Sequence, residues 1–264
     1  MASFYPLAYA AERIAGPDWE VIDLTPPGTE AHDVELSLED RAAIQDADLM
    51  IHLGDIGFQP QVEEAATEAE GRVLTLAEKL IHHPEGEGLE EGIDPHIWLN
   101  PGSMRTMASL IANAFIAEDP DGRVGYLQRA ELLRSELERL DQRYRRVLDI
   151  TSCRYGTLVV PHEAFGYMVG RYAFRQYGLA GLTPEGEPTT ARLAEAERLI
   201  EEGQAGAVFY ETGGESQRAA EALAADAGVP ALPLSTLESA PPEGDYLSVM
   251  EDNLDSLREG LGCQ

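Results

Sequence analysis

Positive charge is what this sequence has least of. Nineteen Lys and Arg stand against 48 Asp and Glu, for a formal net charge of −29, and Lys79 is the single lysine. Nucleic acids and anionic membrane surfaces are bound chiefly through basic patches, so a chain this acidic is repelled by both. The acidity reads first as a solvated, soluble surface. A cation-attracting field is the alternative, damped beyond about one Debye length, ~8 Å at physiological salt. Long apolar runs are missing as well, and no stretch approaches the ~20 residues that a membrane-spanning helix needs. Met1-Ala2-Ser3-Phe4 leads at once into sequence of mature character, so an export signal is expected to have been removed ahead of it.

Cysteine is scarce too, with Cys153 and Cys263 the only pair. A disulfide between them would close the second half of the chain and suit an oxidising compartment. Two unpaired thiols are the other reading, because sequence carries no distance between them. What is plentiful is ordinary globular material: 44% of residues are apolar, and Gly and Pro are scattered rather than clustered. A length of 264 residues accommodates two modest lobes, each with its own core.

Short apolar runs alternate with amphipathic stretches, the pattern of an α/β layer structure. Residues 19–24 (WEVIDL) and 49–53 (LMIHL) read as strands, and Ser37 with Asp40 three residues on forms a capping box for a helix to about Ala47. Residues 101–116 read as a further helix. From 121 to 148 Val124, Leu127, Ala130, Leu133, Leu137, Leu140, Tyr144 and Val147 recur every three or four residues without a proline, which predicts one long helix. Two helices broken near Gly125 or Asp141 are the alternative. Beyond it come strands at 157–160 and 207–210 and helices beginning at 164, 192, 219 and 246. The expected fold class is therefore α/β. Two similar α/β lobes, residues 1–118 and 151–264, are joined by a linking helix within 119–150.

Of six histidines, three share a setting. His32, His96 and His162 lie in polar or proline-bearing segments at or just beyond predicted strand ends: Pro26-Pro27-Gly28-Thr29-Glu30-Ala31-His32-Asp33, Asp94-Pro95-His96-Ile97-Trp98-Leu99 and Val159-Val160-Pro161-His162-Glu163. Ligands of α/β layers collect at the carboxyl ends of strands, so three histidines so placed can converge on one point. Glu211 directly follows the strand at 207–210 and is the fourth candidate. Three imidazoles and a carboxylate make a closed four-coordinate shell suited to Zn²⁺, an ion that takes nitrogen and oxygen ligands at ~2.0–2.2 Å. The wide separations match neither a zinc finger nor an HExxH helix, so spacing alone leaves each histidine open to a loop or capping role. His52, inside a predicted strand, reads as structural, and Trp98 as packing.

Six segments in order carry a resemblance. Ser3-Phe4-Tyr5-Pro6-Leu7, Pro27-Gly28-Thr29-Glu30-Ala31-His32-Asp33, Asp94-Pro95-His96-Ile97-Trp98-Leu99-Asn100-Pro101, His162-Glu163-Ala164-Phe165-Gly166-Tyr167, Gly181-Leu182-Thr183-Pro184-Glu185-Gly186-Glu187-Pro188 and Asp245-Tyr246-Leu247-Ser248-Val249-Met250 together resemble the zinc and manganese solute-binding proteins of ABC importers, the ZnuA-like family. The resemblance implies that His32, His96 and His162 are metal ligands, matching the histidines of the family's PGTEPHD, DPHxWL and HxAFGY segments. Manganese-type members usually carry glutamate at the third position, so His162 resembles the zinc-type choice, in line with the preference of imidazole for Zn²⁺ over Mn²⁺. In the family a carboxylate following a late strand of the second lobe completes the shell. Glu211 is expected to fill that place here, with Glu215 or a water as alternatives.

Departures from the family pattern are Ala31, Val34 and Leu36 in place of its proline, tryptophan and proline. The histidine-rich insertion is reduced to an acidic loop with His82 and His83, read either as a weak zinc collector or as plain solvated surface. Asp33, Glu163 and Glu187 are candidates to orient the imidazoles. The function implied is capture of Zn²⁺ as a transported ligand in the cleft between the lobes. The protein would act as a monomer, in the periplasm or anchored outside the cytoplasmic membrane. Delivery would be to the membrane permease of an ABC importer with its ATPase, with no nucleic-acid partner and no catalysis. A manganese or iron binder of the same family is the alternative cargo. A zinc-dependent hydrolase with Glu211 or Glu163 as general base is the alternative class, and a shell filled by four protein ligands argues against it.

Overall fold

The computed structural model describes residues 1–80, 93–182, 188–212 and 215–264. His82, His83 and Glu187, and the side chain of Glu215, lie outside the described residues. The chain divides into two compact units, one of Met1–Glu87, Pro101–Arg139 and Leu237–Tyr246, the other of Gly88–Asn100, Leu140–Thr236 and Leu247–Gln264.

The first unit opens with α1 (Tyr5–Ala15), which carries Pro6 in its first turn and buries Leu7, Ala10 and Ile14. Proline is tolerated there because the first N–H groups of a helix have no intrahelical acceptor. Next comes α2 (Leu38–Asp46), started by the expected capping box: Ser37 Oγ accepts the Asp40 N–H at 3.1 Å and Asp40 Oδ2 accepts the Ser37 N–H at 2.9 Å. The apolar run at 49 forms β1 (Leu49–His52), buried along its whole length. After α3 (Pro60–Ala66), β2 (Arg72–Thr75) pairs with β1 in parallel, Leu49 opposite Arg72. Short α4 (Ala77–Leu80) and α5 (Pro101–Glu118) follow. Leu24, Val34, Ile44, Met50, Val62 and Ala65 pack into a core.

Residues 19–24 do not form the expected strand; they contribute a single bridge, Asp23 to Ala2, and Ala2 bridges Ile51 of β1 on its other side. The physical reason is short supply: α1 begins at Tyr5, so little extended chain lies between 22–24 and β1, and the ladder has one rung.

The predicted long helix is a single unbroken one, α6 (Arg123–Val147), of 25 residues. At 1.5 Å per residue it is ~37 Å long. Gly125 and Asp141 lie inside it without breaking it, and Tyr126, Leu133, Leu137, Leu140 and Tyr144 form its buried stripe.

The second unit holds β3 (Thr157–Val160), α7 (Gly166–Tyr172), β4 (Arg175–Gly178), α8 (Thr190–Glu201), β5 (Val208–Tyr210), α9 (Glu215–Ala227), β6 (Ala231–Pro233) and α10 (Tyr246–Gly260). The four strands form one parallel sheet in the order β4-β3-β5-β6. Central β3, TLVV, is buried at every position, as a strand covered on both faces must be. Val159, Val208, Ala196, Ile200, Ala220 and Leu223 make the core beneath it. Because the chain leaves β3 for β4 on one side and returns to β5 on the other, the carboxyl ends of β3 and β5 flank the switch point where α/β sheets place ligands. Cys153 and Cys263 are joined in a disulfide.

Candidate metal centre

His162 stands two residues past the end of β3 and is fully buried. Val159 pairs with Val208 in the ladder, so Glu211, one residue past β5, falls level with His162. Accordingly His162 Nδ1 lies 3.0 Å from Glu211 Oε1. The other carboxylate oxygen of Glu211 accepts the Thr236 hydroxyl at 3.1 Å. His96, also fully buried, precedes the 3-10 turn Ile97–Leu99 and is gripped by Asp94. Asp94 Oδ1 accepts the His96 backbone N–H and lies 2.9 Å from its Nδ1 as well. With Nδ1 facing a carboxylate, Nε2 is the nitrogen that His96 offers to an ion. The two rings have centroids 5.3 Å apart. Gly166 belongs to this arrangement, because a Cβ there would come within 2.5 Å of Asp94 Oδ2. Trp98 is buried beside His96 and donates its indole N–H to the Thr236 carbonyl at 2.7 Å.

In the first unit His32 sits in the 3-10 turn Ala31–Asp33, with the Phe58 ring edge-on to it at 4.6 Å. The buried Gln59 amide pins this turn, donating to the Ala31 carbonyl at 3.1 Å and the Ser3 carbonyl at 3.2 Å. Glu238, only 3% exposed, turns one oxygen to the Ala31 N–H at 3.1 Å and the other toward His32 Nε2 at 3.7 Å. Directly before it Leu237 has φ 57°, a left-handed conformation that a bulky side chain adopts only under strain. The strained residue thus marks where the chain turns into the carboxylate.

His32, His96, His162 and Glu238 each offer one ligand atom such that all four atoms lie within 4.8 Å of one another. Around a tetrahedral zinc with bonds of ~2.0–2.1 Å, ligand atoms stand about 3.4 Å apart, so small side-chain shifts close such a set on an ion. The donors are those that a borderline divalent ion takes readily.

All three predicted histidines fall in this group; Glu211 is not one of its four members, and Glu238 is. Glu211 directly follows β5, whereas Glu238 stands five residues past the end of β6, beyond the reach of the strand-end argument that picked out Glu211. Of the expected orienting carboxylates, Asp33 is exposed and Glu163 pairs with Arg192 at 3.4 Å. The carboxylates beside the imidazoles are instead Asp94 and Glu211. His52 is structural as expected: it ends β1 with Nε2 3.3 Å from the Thr75 hydroxyl, and burial lowers its pKa. Among the described residues no helix is long and apolar enough to cross a membrane.

Similarity to known proteins runs along the whole chain. The profile of the family ZnuA, described as zinc-uptake complex component A, periplasmic, matches residues 1–260. The zinc-binding lipoprotein AdcA of Streptococcus pneumoniae serotype 4 is 30% identical over 277 residues, covering 98% of this chain and 55% of AdcA. This chain therefore spans about half the length of that relative. The high-affinity zinc uptake system protein ZnuA of Bacillus subtilis 168 is 28% identical over 280 residues, covering 99% of this chain and 86% of that protein. The crystal structure of the Zn(II)-bound ZnuA-like domain of Streptococcus pneumoniae AdcA matches with a TM-score of 0.82 at 28% identity, covering 98% of this chain and 97% of that domain.

Proposed function

This chain belongs to the ZnuA family of zinc-uptake components, and from that premise we propose that it captures one Zn²⁺ outside the cytoplasmic membrane and delivers it to an ABC importer. The observation that carries the reading is the set of three imidazoles and one buried carboxylate close enough to share an ion. His32, His96, His162 and Glu238 are the ligands. Three nitrogens and one oxygen favour zinc over manganese, which prefers oxygen donors. Four protein ligands fill a tetrahedral shell and leave no position for a reacting water, so the ion is cargo and the protein is not an enzyme.

The compartment follows from two supports. Reducing cytosol does not sustain a structural disulfide in most proteins, so the Cys153–Cys263 bond fits an oxidising space outside the cytoplasmic membrane. AdcA, among the relatives, is named a lipoprotein, which fits anchorage at the membrane surface. The partners are the importer's permease and its ATPase, met by the protein as a monomer.

Titration of metal-stripped protein against a chromophoric chelator, with zinc and manganese in parallel, tests the reading. One zinc per chain, bound more tightly than manganese, is the expected result. A stoichiometry other than one, or tighter manganese binding, would overturn the zinc assignment.

A further inference from the structure

We propose that Glu211 is a positioning residue for zinc capture: it sets the rotation of the His162 ring without binding the ion, and Thr236 holds it in that role. The proposal rests on the ligand set given above. The pairing of Val159 with Val208 makes His162 and Glu211 the level continuation of two adjacent parallel strands, so their facing is built into the sheet. Each carboxylate oxygen also has a polar neighbour: Oε1 lies 3.0 Å from His162 Nδ1, and Oε2 accepts the Thr236 hydroxyl at 3.1 Å.

The support itself is held from two sides. Thr236 is buried, and its carbonyl accepts the Trp98 indole N–H at 2.7 Å. The preceding residue, Ser235, is fixed in both directions by the buried Asn253 side chain, which accepts the Ser235 N–H and donates to the Ser235 carbonyl, each at 2.8 Å. Glu211 thus leans on a backbone segment pinned from α10 and from Trp98. A carboxylate facing one imidazole nitrogen fixes the ring and raises the basicity of the other, which is how partners beyond the ligand shell tune a metal site. Exposure separates the two acids: the Glu211 side chain is 17% exposed and that of Glu238 3%. The buried acid suits a ligand and the more open one a support.

Three variants, Glu211→Gln, Glu211→Ala and Thr236→Val, are compared with wild type by zinc competition, by the visible spectrum of the Co²⁺-loaded protein and by the thermal midpoint of the metal-stripped protein. Glu211→Ala is expected to weaken zinc binding ~10–100-fold. Glu211→Gln, which keeps an oxygen toward Nδ1, recovers part of the loss at an unchanged stripped-protein midpoint. Co²⁺ bands shift but keep four-coordinate intensity in both. Thr236→Val weakens binding less, and adds nothing to Glu211→Ala in a double-mutant cycle. Wild-type affinity in Glu211→Ala would overturn the proposal alone, as would loss of the four-coordinate bands, which would make Glu211 a ligand. Wild-type protein that binds no zinc would overturn the proposal and the functional reading together.

Discussion

The backbone N–H of Ala31 donates to Oε2 of Glu238 over 3.1 Å, tying the turn that carries His32 to a carboxylate 207 residues further along the chain. One side chain therefore both braces that turn and faces the His32 ring. The two roles separate by substitution. Glu238→Gln keeps an acceptor for the Ala31 N–H, so the metal-stripped protein should melt near wild type while zinc affinity falls about a hundredfold or more, roughly 3 kcal/mol. Glu238→Ala should lose the same affinity and in addition ~1–3 kcal/mol of stability, the cost of a buried N–H left without its acceptor. Calorimetric zinc titration beside thermal melting reads both, and a Gln variant that binds like wild type would remove Glu238 from the ligand set.

The Cys153–Cys263 bond closes a loop of 110 residues. Loop-closure entropy assigns a cross-link of that span about 4–5 kcal/mol through the unfolded state. The Cys153→Ser/Cys263→Ser variant should therefore melt several degrees below wild type, and wild type in reductant should move toward it. Equal midpoints in oxidising buffer would contradict a stabilising role.

Asp141, buried on α6, receives hydrogen bonds from Arg171 at 2.6 and 2.7 Å, Tyr172 at 2.8 Å and Arg145 at 3.2 Å. Burial pushes its carboxyl up, but the bonds from Arg171, Tyr172 and Arg145 outweigh that and hold it at about 2, below the ordinary 3.8. The folded state then binds fewer protons than the unfolded chain in that window, so the contribution is complete above pH 3.8 and is lost as pH falls through about 2. Its size is about 2 kcal/mol at 1.36 kcal/mol per unit. Asp141→Asn should be less stable than wild type at pH 7, with the gap narrowing toward pH 2. A gap independent of pH in thermal melts would contradict this.

Asp23 behaves oppositely. Burial raises its carboxyl to about 6, against the lowering effect of the Thr25 N–H bond. The folded state now binds more protons than the unfolded chain between 3.8 and about 6, so stability falls as pH rises through that window. Asp23→Asn retains an acceptor for Thr25 and should melt above wild type at pH 8 but not at pH 4. A variant less stable at both values would show that the charge is stabilising.

Much of the fold was legible because the central elements carry strong local signals. LMIH and TLVV read as buried strands, Ser37 with Asp40 announces α2, and the apolar repeat from Val124 to Val147 announces α6, although Val124 and Leu127 at its start are exposed and Tyr126 is buried there instead. The edge strands were not, since β2 (RVLT) and β4 (RQYG) are partly exposed and lack a clean apolar period. Residues 19–24 failed in the other direction: their β-propensity is high, yet the ladder needs a partner and finds only Ala2. At the metal centre the three histidines stood out by their polar, proline-bearing segments and by the family motifs they sit in; of the three, among the described residues, His162 alone stands just past a strand. Glu238 did not, because β6 is three residues long and ends in proline, so the segment after it reads as loop. The left-handed turn at Leu237 that delivers the carboxylate has no counterpart in sequence, as leucine is among the residues least suited to it.

Zinc-edge anomalous diffraction from crystals of the zinc-loaded protein reads the ligand set directly. One peak per chain is expected, bonded at ~2.0–2.1 Å to His32, His96, His162 and Glu238, with Glu211 in contact with His162 and not with the ion. A peak lacking one of the three histidines, or one bonded to Glu211 with Glu238 turned away, would contradict that set.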